Sequence, residues 1–255
     1  PFKAKYHLGA VNSINWARIA AQVVYYVYAW LKAPKGADDV VRFYVPSGNF
    51  GNALSAHIAR SMGLPIEIVV CTNENDVLYE FFTTGRYLIR KGSDVLVTSS
   101  PSMDIAEASN FERFMYDYVV RAPKVINRYW WLLSQTGQFD VGESNPGRRF
   151  GISAGRATDA DVLETIKYVY DTHRTSIDPH TAVAMMVALE SRGHGTPSIV
   201  VETAKPAKFE STIKEALGFT PPIPDAIARL ADLPEKTIRI DAQLEEVKRI
   251  IATHT

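Results

Sequence analysis

Ser47-Gly48-Asn49-Phe50-Gly51-Asn52 sets two glycines three residues apart, between a β-branched run and an amphipathic one. A strand that feeds a helix through such a turn gathers backbone N–H groups around one point, at the positive end of a helix dipole. The ligand this favours is an anion, most simply a phosphate, at the carboxyl end of a parallel sheet. Gly48 and Gly51 lack Cβ atoms, so the backbone can approach a ligand closely and adopt positive φ. Ser47, Asn49 and Asn52 can add side-chain donors. On spacing alone, a plain glycine turn between strand and helix fits equally well. No G-x-x-x-x-G-K-[ST] and no G-x-G-x-x-G occurs, so neither nucleoside triphosphate hydrolysis nor a dinucleotide fingerprint is supported. The six histidines show no metal-ligand spacing, and no metal site is expected.

The elements around this turn follow from patterning. Asn12-Ser13-Ile14-Asn15 supplies cap residues for a mostly buried helix from Trp16 to Leu31, closed by Pro34-Lys35-Gly36. Val40 to Val45 reads as a strand, Asn52 to Met62 as a helix stopped by Gly63, and Ile66 to Cys71 as a strand buried on both faces. A helix over Asp76 to Phe82 and a short strand over Val95 to Thr98 continue the rhythm, which argues for parallel βαβ units. Glu107 to Thr136 and Asp159 to His173 read as helical, joined by a turn-rich link over Gly137 to Thr158. Asp178-Pro179 opens a helix to about Ser191. Ser198 to Glu202 has a buried-strand pattern, Pro206 to Leu217 a helical one, and Thr237 to Ile240 reads as a last strand before a terminal helix. The expected fold is α/β, a mostly parallel open sheet with flanking helices plus a helical insertion.

Bulk properties narrow the function classes. The chain has 255 residues, enough for one large domain or two small ones. Lys+Arg and Asp+Glu balance at 28 each, so no global field favours nucleic acid or an anionic membrane. Tyr25-Tyr26-Val27-Tyr28 and Tyr129-Trp130-Trp131 read as core or interface, because no basic stripe accompanies them. Cys71 is the only cysteine, which fits a reducing compartment. With no signal-peptide pattern and no convincing span, the expected location is cytoplasmic.

Six segments, in order along the chain, carry a family resemblance. They are Asn12 to Arg18, Ser47 to Asn52, Pro101-Ser102-Met103-Asp104-Ile105, Ser109-Asn110-Phe111-Glu112-Arg113, Asp178-Pro179-His180-Thr181-Ala182 and Glu202 to Phe209. Together they resemble the threonine synthase family, pyridoxal 5'-phosphate (PLP) enzymes of the tryptophan-synthase-β fold type, known as fold type II. The resemblance implies conversion of O-phospho-L-homoserine and water to L-threonine and phosphate. It implies that Gly48, Asn49, Phe50, Gly51 and Asn52 hold the cofactor phosphate and that Thr203 faces the pyridine nitrogen. A Thr hydroxyl donates to a neutral ring nitrogen, whereas an Asp would keep it protonated. As a bare residue, Thr203 also suits a strand-end cap for the helix that Pro206 begins.

Substrate-binding candidates are Ser102 and Asp104 on one loop and Asn110 and Arg113 on the next helix. Arg113 is suited to clamp a phosphate or carboxylate bidentately, and Glu112 with Arg113 equally suits a solvated helix face. His180 reads as a helix-start residue rather than a base.

The family's Schiff-base lysine lies in a Phe-Lys-Asp-like segment, and none occurs here; Phe2-Lys3-Ala4 lacks the Asp, and Lys205 and Lys208 belong to the Thr203 segment. The catalytic lysine is therefore expected outside this chain, and the isolated chain is expected to be inactive. The expected organisation is residues 1–114 as the first part of the α/β cofactor domain, 115–192 as a helical insertion and 193–255 as the closing part of the large domain. The family's N-terminal and small domains would be absent. Two other readings stand beside this one: another PLP fold type II lyase, or a non-catalytic module that binds a phosphorylated small molecule. Monomer and homodimer are equally compatible with the residues.

Overall fold

Alternation along two apolar runs fixes the centre of the molecule. Val41, Phe43 and Val45 face one side of a sheet together with Ile66, Ile68 and Val70, while Tyr44, Val69 and Cys71 face the other. This two-sided burial is what parallel strands between helical layers require. A computed structural model describes residues 1–9, 11–34, 39–191, 195–230 and 233–254. Lys35 and Gly36, expected to close the first long helix, lie outside the described residues, as do Arg192 and Gly193 at an expected domain boundary.

The strands are β1 (Val41–Pro46), β2 (Ile66–Thr72), β3 (Arg86–Leu88), β4 (Gln138–Asp140), β5 (Ile152–Arg156) and β6 (Ser198–Val200). The helices are α1 (Phe2–Lys5), α2 (Trp16–Lys32), α3 (Gly51–Ser61), α4 (Val77–Thr84), α5 (Phe111–Tyr118) and α6 (Pro123–Thr136). They continue as α7 (Asp159–His173), α8 (Pro179–Glu190), α9 (Glu210–Leu217), α10 (Asp225–Ala228) and α11 (Leu244–His254). Contacts divide the chain into two units, residues 13–221 and residues 1–12 with 222–255.

In the larger unit an open four-stranded sheet runs β5-β2-β1-β6, every neighbouring pair parallel, as the α/β expectation requires. One face carries a core with Ile19 and Tyr26 of α2, Ala53 and Leu54 of α3, Phe81 of α4 and Phe111 of α5. The other face packs on Val162 and Ile166 of α7, Val183 and Val187 of α8 and Ile213 of α9. A separate antiparallel ribbon pairs β3 with β4. Asn15 caps α2 through its side chain, and Thr158 with Asp161 forms a reciprocal capping box that starts α7.

The smaller unit holds α1, α10 and α11, none with a buried residue. No helix of the described residues is long and apolar enough to cross a membrane.

Several expectations are corrected. Val95 to Thr98 forms no strand. Asn75 exchanges two hydrogen bonds with the backbone of Leu96, and Asp104 takes the Thr98 amide, so side chains satisfy the groups a ladder would have used. The place beside β2 goes to β5, which lies within residues 115–192. That segment therefore contributes a strand to the main sheet and is not a purely helical insertion. Thr237 to Ile240 forms no strand. The α2 helix is not mostly buried: only Ile19 and Tyr26 are fully covered, while Val24, Tyr25, Tyr28 and Leu31 are exposed. An apolar run records no preference between its faces. Among the described residues β6 pairs only with β1, and as an edge strand it is half-exposed.

Candidate functional site

The ladder of β1 ends where the Ser47 amide donates to the Cys71 carbonyl at 2.8 Å. The chain then passes tightly under residues 101–103. A Cβ on Gly48 would lie 2.7 Å from the Ser102 carbonyl oxygen and 3.0 Å from Met103 Cα. A Cβ on Gly51 would lie 3.3 Å from Asn110 Nδ2. Both glycines answer to close approach, and neither has positive φ. The left-handed residue is Phe50, at φ 61, the N-cap of α3. That conformation costs a non-glycine residue about 1–2 kcal/mol. It is held because the Phe50 ring is fully buried against Phe82, Phe111 and Phe114, with centroids 5.7–5.9 Å apart.

No side chain caps α3, so its first amides stay available to a ligand. Ser47 Oγ is buried without a hydrogen-bond partner, and so is Thr72 Oγ1 at the same level of the adjacent strand. An orphaned buried hydroxyl is costly unless a ligand or water completes it. Uncapped amides, glycine walls and an unsatisfied hydroxyl together fit a phosphate group.

The side chains of this loop are spent on holding it. The Asn49 carbonyl accepts from the Asn110 amide and from Asn110 Nδ2, both at 3.1 Å. Asn49 Oδ1 accepts from the Ser109 amide at 3.4 Å. The Tyr26 hydroxyl reaches Asn52 at its carbonyl (3.1 Å) and at Oδ1 (2.6 Å). Of the expected phosphate ligands Gly48, Asn49, Phe50, Gly51 and Asn52, the Phe50 ring belongs to the core, and what the loop leaves for an anion is its backbone amides.

Two of the expected substrate groups also brace their loops. Asn110 is fully buried, and Nδ2 donates to the Ser13 and Asn49 carbonyls while Oδ1 accepts from Arg113 at 2.6 Å. Asp104 accepts four hydrogen bonds, from Asn73, Asn75 and the Thr98 amide and hydroxyl, at 2.7–3.0 Å. It staples its loop, with Oδ1 taking three of these hydrogen bonds and Oδ2 one. Arg113 also ties Nη2 to the Ile14 carbonyl at 2.9 Å. Ser102 keeps an exposed side chain, and its backbone forms the roof over Gly48.

Thr203 follows β6, which pairs in parallel with β1, and the Val201 amide donates to the Tyr44 carbonyl at 3.0 Å. Thr203 and the 47–52 loop therefore leave the same carboxyl edge on neighbouring strands. Thr203 is exposed, and its amide donates to Thr181 Oγ1 at 3.4 Å. Lys205 pairs with Glu202 at 2.8 Å. His180 sits at the start of α8 beside the fully buried Asp178. Burial raises the Asp178 carboxyl pKa, but hydrogen bonds from His180 and Thr181 outweigh it and hold the group below its ordinary value.

Sequence reading missed Thr72, whose signal is its position closing β2 one residue past the Pro46↔Cys71 pair. A cavity of about 1030 Å3 lies elsewhere, opening on Arg42, Glu67, Ser153 and Glu190 and including no residue of the 47–52 loop. The 47–52 loop is the candidate site because the uncapped amides of α3 and the orphaned Ser47 hydroxyl meet there. Among the described residues no cluster could hold a metal ion.

Comparisons with known proteins point to one family. A family model described as "Threonine synthase, C-terminal" matches residues 181–251. The chain is 47% identical to a threonine synthase of Methylobacillus glycogenes over 99% of its own length and 54% of the relative's. It is 45% identical to that of Corynebacterium glutamicum over 98% of its length and 53% of the relative's. Among solved structures, PLP-bound threonine synthase from Brucella melitensis superposes with TM-score 0.91 at 37% identity, covering 99% of this chain and 54% of that one. Yeast threonine synthase superposes with TM-score 0.87 at 35% identity, covering 96% and 53%. The chain spans about half the length of the curated relatives it matches.

Proposed function

Because this chain belongs to the threonine synthase family, we propose that it supplies the phosphate cup and ring-nitrogen contact of a PLP enzyme that converts O-phospho-L-homoserine and water to L-threonine and phosphate. The observation that carries the proposal is the uncapped, glycine-walled start of α3 above the orphaned Ser47 hydroxyl. When bound, PLP supplies an electron sink for charge developed beside the substrate's amino group.

The residues of this chain bind and orient. The amides from Gly48 to Asn52 and the Ser47 hydroxyl donate to the cofactor phosphate, where the α3 dipole adds its positive end. The Thr203 hydroxyl donates to the ring nitrogen and leaves it unprotonated, because a hydroxyl has no negative charge with which to stabilise a pyridinium. Asn110, Arg113 and Asp104 keep the surrounding loops in place, and Ser102 stays open to the substrate side. No Phe-Lys-Asp segment occurs among these 255 residues, and the lysine that such an enzyme needs is assigned to the half of the family chain not represented here.

The product of the complete coding sequence that contains this chain is expected to release inorganic phosphate from O-phosphohomoserine only when loaded with PLP. The 255-residue chain alone is expected to release none. PLP binding without phosphate release by the complete product would overturn the reaction in favour of a ligand-holding module. Absence of PLP binding would overturn the site.

A further inference from the structure

Asp178 is fully buried, and its carboxylate accepts from the amides of His180 (3.0 Å) and Thr181 (3.4 Å), from His180 Nδ1 (3.0 Å) and from the Thr181 hydroxyl. An ionised carboxylate only accepts, so it dictates where its partners keep their protons. His180 carries its proton on Nδ1 and presents Nε2 as an acceptor, to which the Ser102 amide donates at 3.1 Å. Thr181 gives its hydroxyl proton to Asp178 and turns a lone pair outward, to which the Thr203 amide donates at 3.4 Å. The two arms end at the two ends of the proposed site. Ser102 and Met103 form the roof that only a glycine at position 48 clears, and Thr203 is the ring-nitrogen donor. One planar ring holds the cofactor's phosphate and nitrogen at a fixed separation, so a protein that grips both needs its two grips at a matching distance.

We propose that Asp178 is a positioning residue that sets, through His180 and Thr181, the separation between the phosphate cup and the Thr203 hydroxyl. It touches neither cofactor nor substrate. The proposal rests on the reading of residues 48–52 and Thr203 as a PLP site.

Three variants of the PLP-loaded product of the complete coding sequence test it. His180→Gln keeps an acceptor for the Ser102 amide, whereas His180→Phe keeps a ring to pack on Phe209, whose centroid is 4.8 Å away, and loses the acceptor. Asp178→Asn puts an N–H donor where a carboxylate oxygen accepts. His180→Phe and Asp178→Asn are expected to raise the PLP dissociation constant about tenfold, the effect of one lost buried hydrogen bond, with His180→Gln within about twofold of the parent. The 31P resonance of the bound cofactor shifts in the first two variants only. Hydrogen exchange at the Ser102 amide accelerates in them while the β1 and β2 amides stay protected.

Equal PLP affinity and equal Ser102 exchange in His180→Phe and His180→Gln would overturn the proposal, leaving His180 as packing. If Asp178→Asn fails to fold, the two His180 variants decide alone, since protection in Gln with exposure in Phe supports the relay. A parent protein that binds no PLP would fail the functional reading instead, and Ser102 exchange would still decide the relay.

Discussion

The two loops at the carboxyl edge of the sheet leave neighbouring strands and are held in opposite ways. The loop after β1 is part of the core: Ser47 and Phe50 are buried, the Asn49 carbonyl takes two hydrogen bonds, and the Tyr26 hydroxyl grips Asn52. The loop after β6 leaves an edge strand, and Thr203 is exposed with one 3.4 Å bond to its amide. Strain is correspondingly uneven. Phe50 keeps a left-handed backbone because aromatic packing over-determines it. On the proposed reading the anion grip is thus formed before a ligand arrives, while the Thr203 hydroxyl takes its position from the Asp178 relay.

The largest test of this contrast is Phe50→Ala, which empties a fully buried site in the first loop. It should cost about 3–5 kcal/mol in urea unfolding. A loss below about 1 kcal/mol would mean that the loop is not core-built. Gly48→Ala comes next. Its Cβ would press on the backbone of Ser102 and Met103, so about 1–3 kcal/mol of stability and much of the PLP affinity should go. Gly92→Ala, with open space around it, is the control and should stay within about 0.5 kcal/mol.

Acid should weaken the packing of α3. His57, on α3, is buried, and desolvation lowers its pKa more than the Asp117 carboxylate at 3.1 Å raises it. The unfolded chain therefore takes up a proton near pH 6.5 that the folded chain refuses. Stability is full above that pH and declines as pH falls toward the depressed folded value. His57→Gln should flatten the stability–pH curve in that window, and an unchanged slope would assign the acid limb to other groups.

The smallest effect on stability belongs to the second loop. Thr203→Val should leave unfolding within about 0.5 kcal/mol of the parent yet perturb the absorbance of bound PLP. An unperturbed cofactor spectrum would remove Thr203 from the ring nitrogen.

Much of the fold was legible because its signals are local. The β1 and β2 strands stand out as short branched runs between turn residues, and α7 was read at its observed bounds, Asp159 to His173. The glycine-walled strand-to-helix junction was legible for the same reason, although positive φ fell on Phe50 and not on either glycine. Val95 to Thr98 misled because its apolar residues suit a strand, while Asn75 and Asp104, distant in sequence from part of the run, claimed its backbone. The β5 strand escaped notice because Ile152-Ser-Ala-Gly-Arg156 has little β-branched character. It pairs anyway, since the edge of β2 was free.

By itself the sequence determined an α/β fold of parallel strands, the family of the chain, and the point where β1 turns into a helix. These depend on periodicity and spacing within a few residues, which the chain writes directly. Only the tertiary structure decided which polar side chains hold the loops and which stay open. Asn110 finds the Ser13 carbonyl 97 positions away, and His180 finds the Ser102 amide 78 positions away. A buried amide, imidazole or carboxylate must be satisfied by whatever approaches it in space. Its role is therefore fixed by long-range packing, which no local pattern encodes.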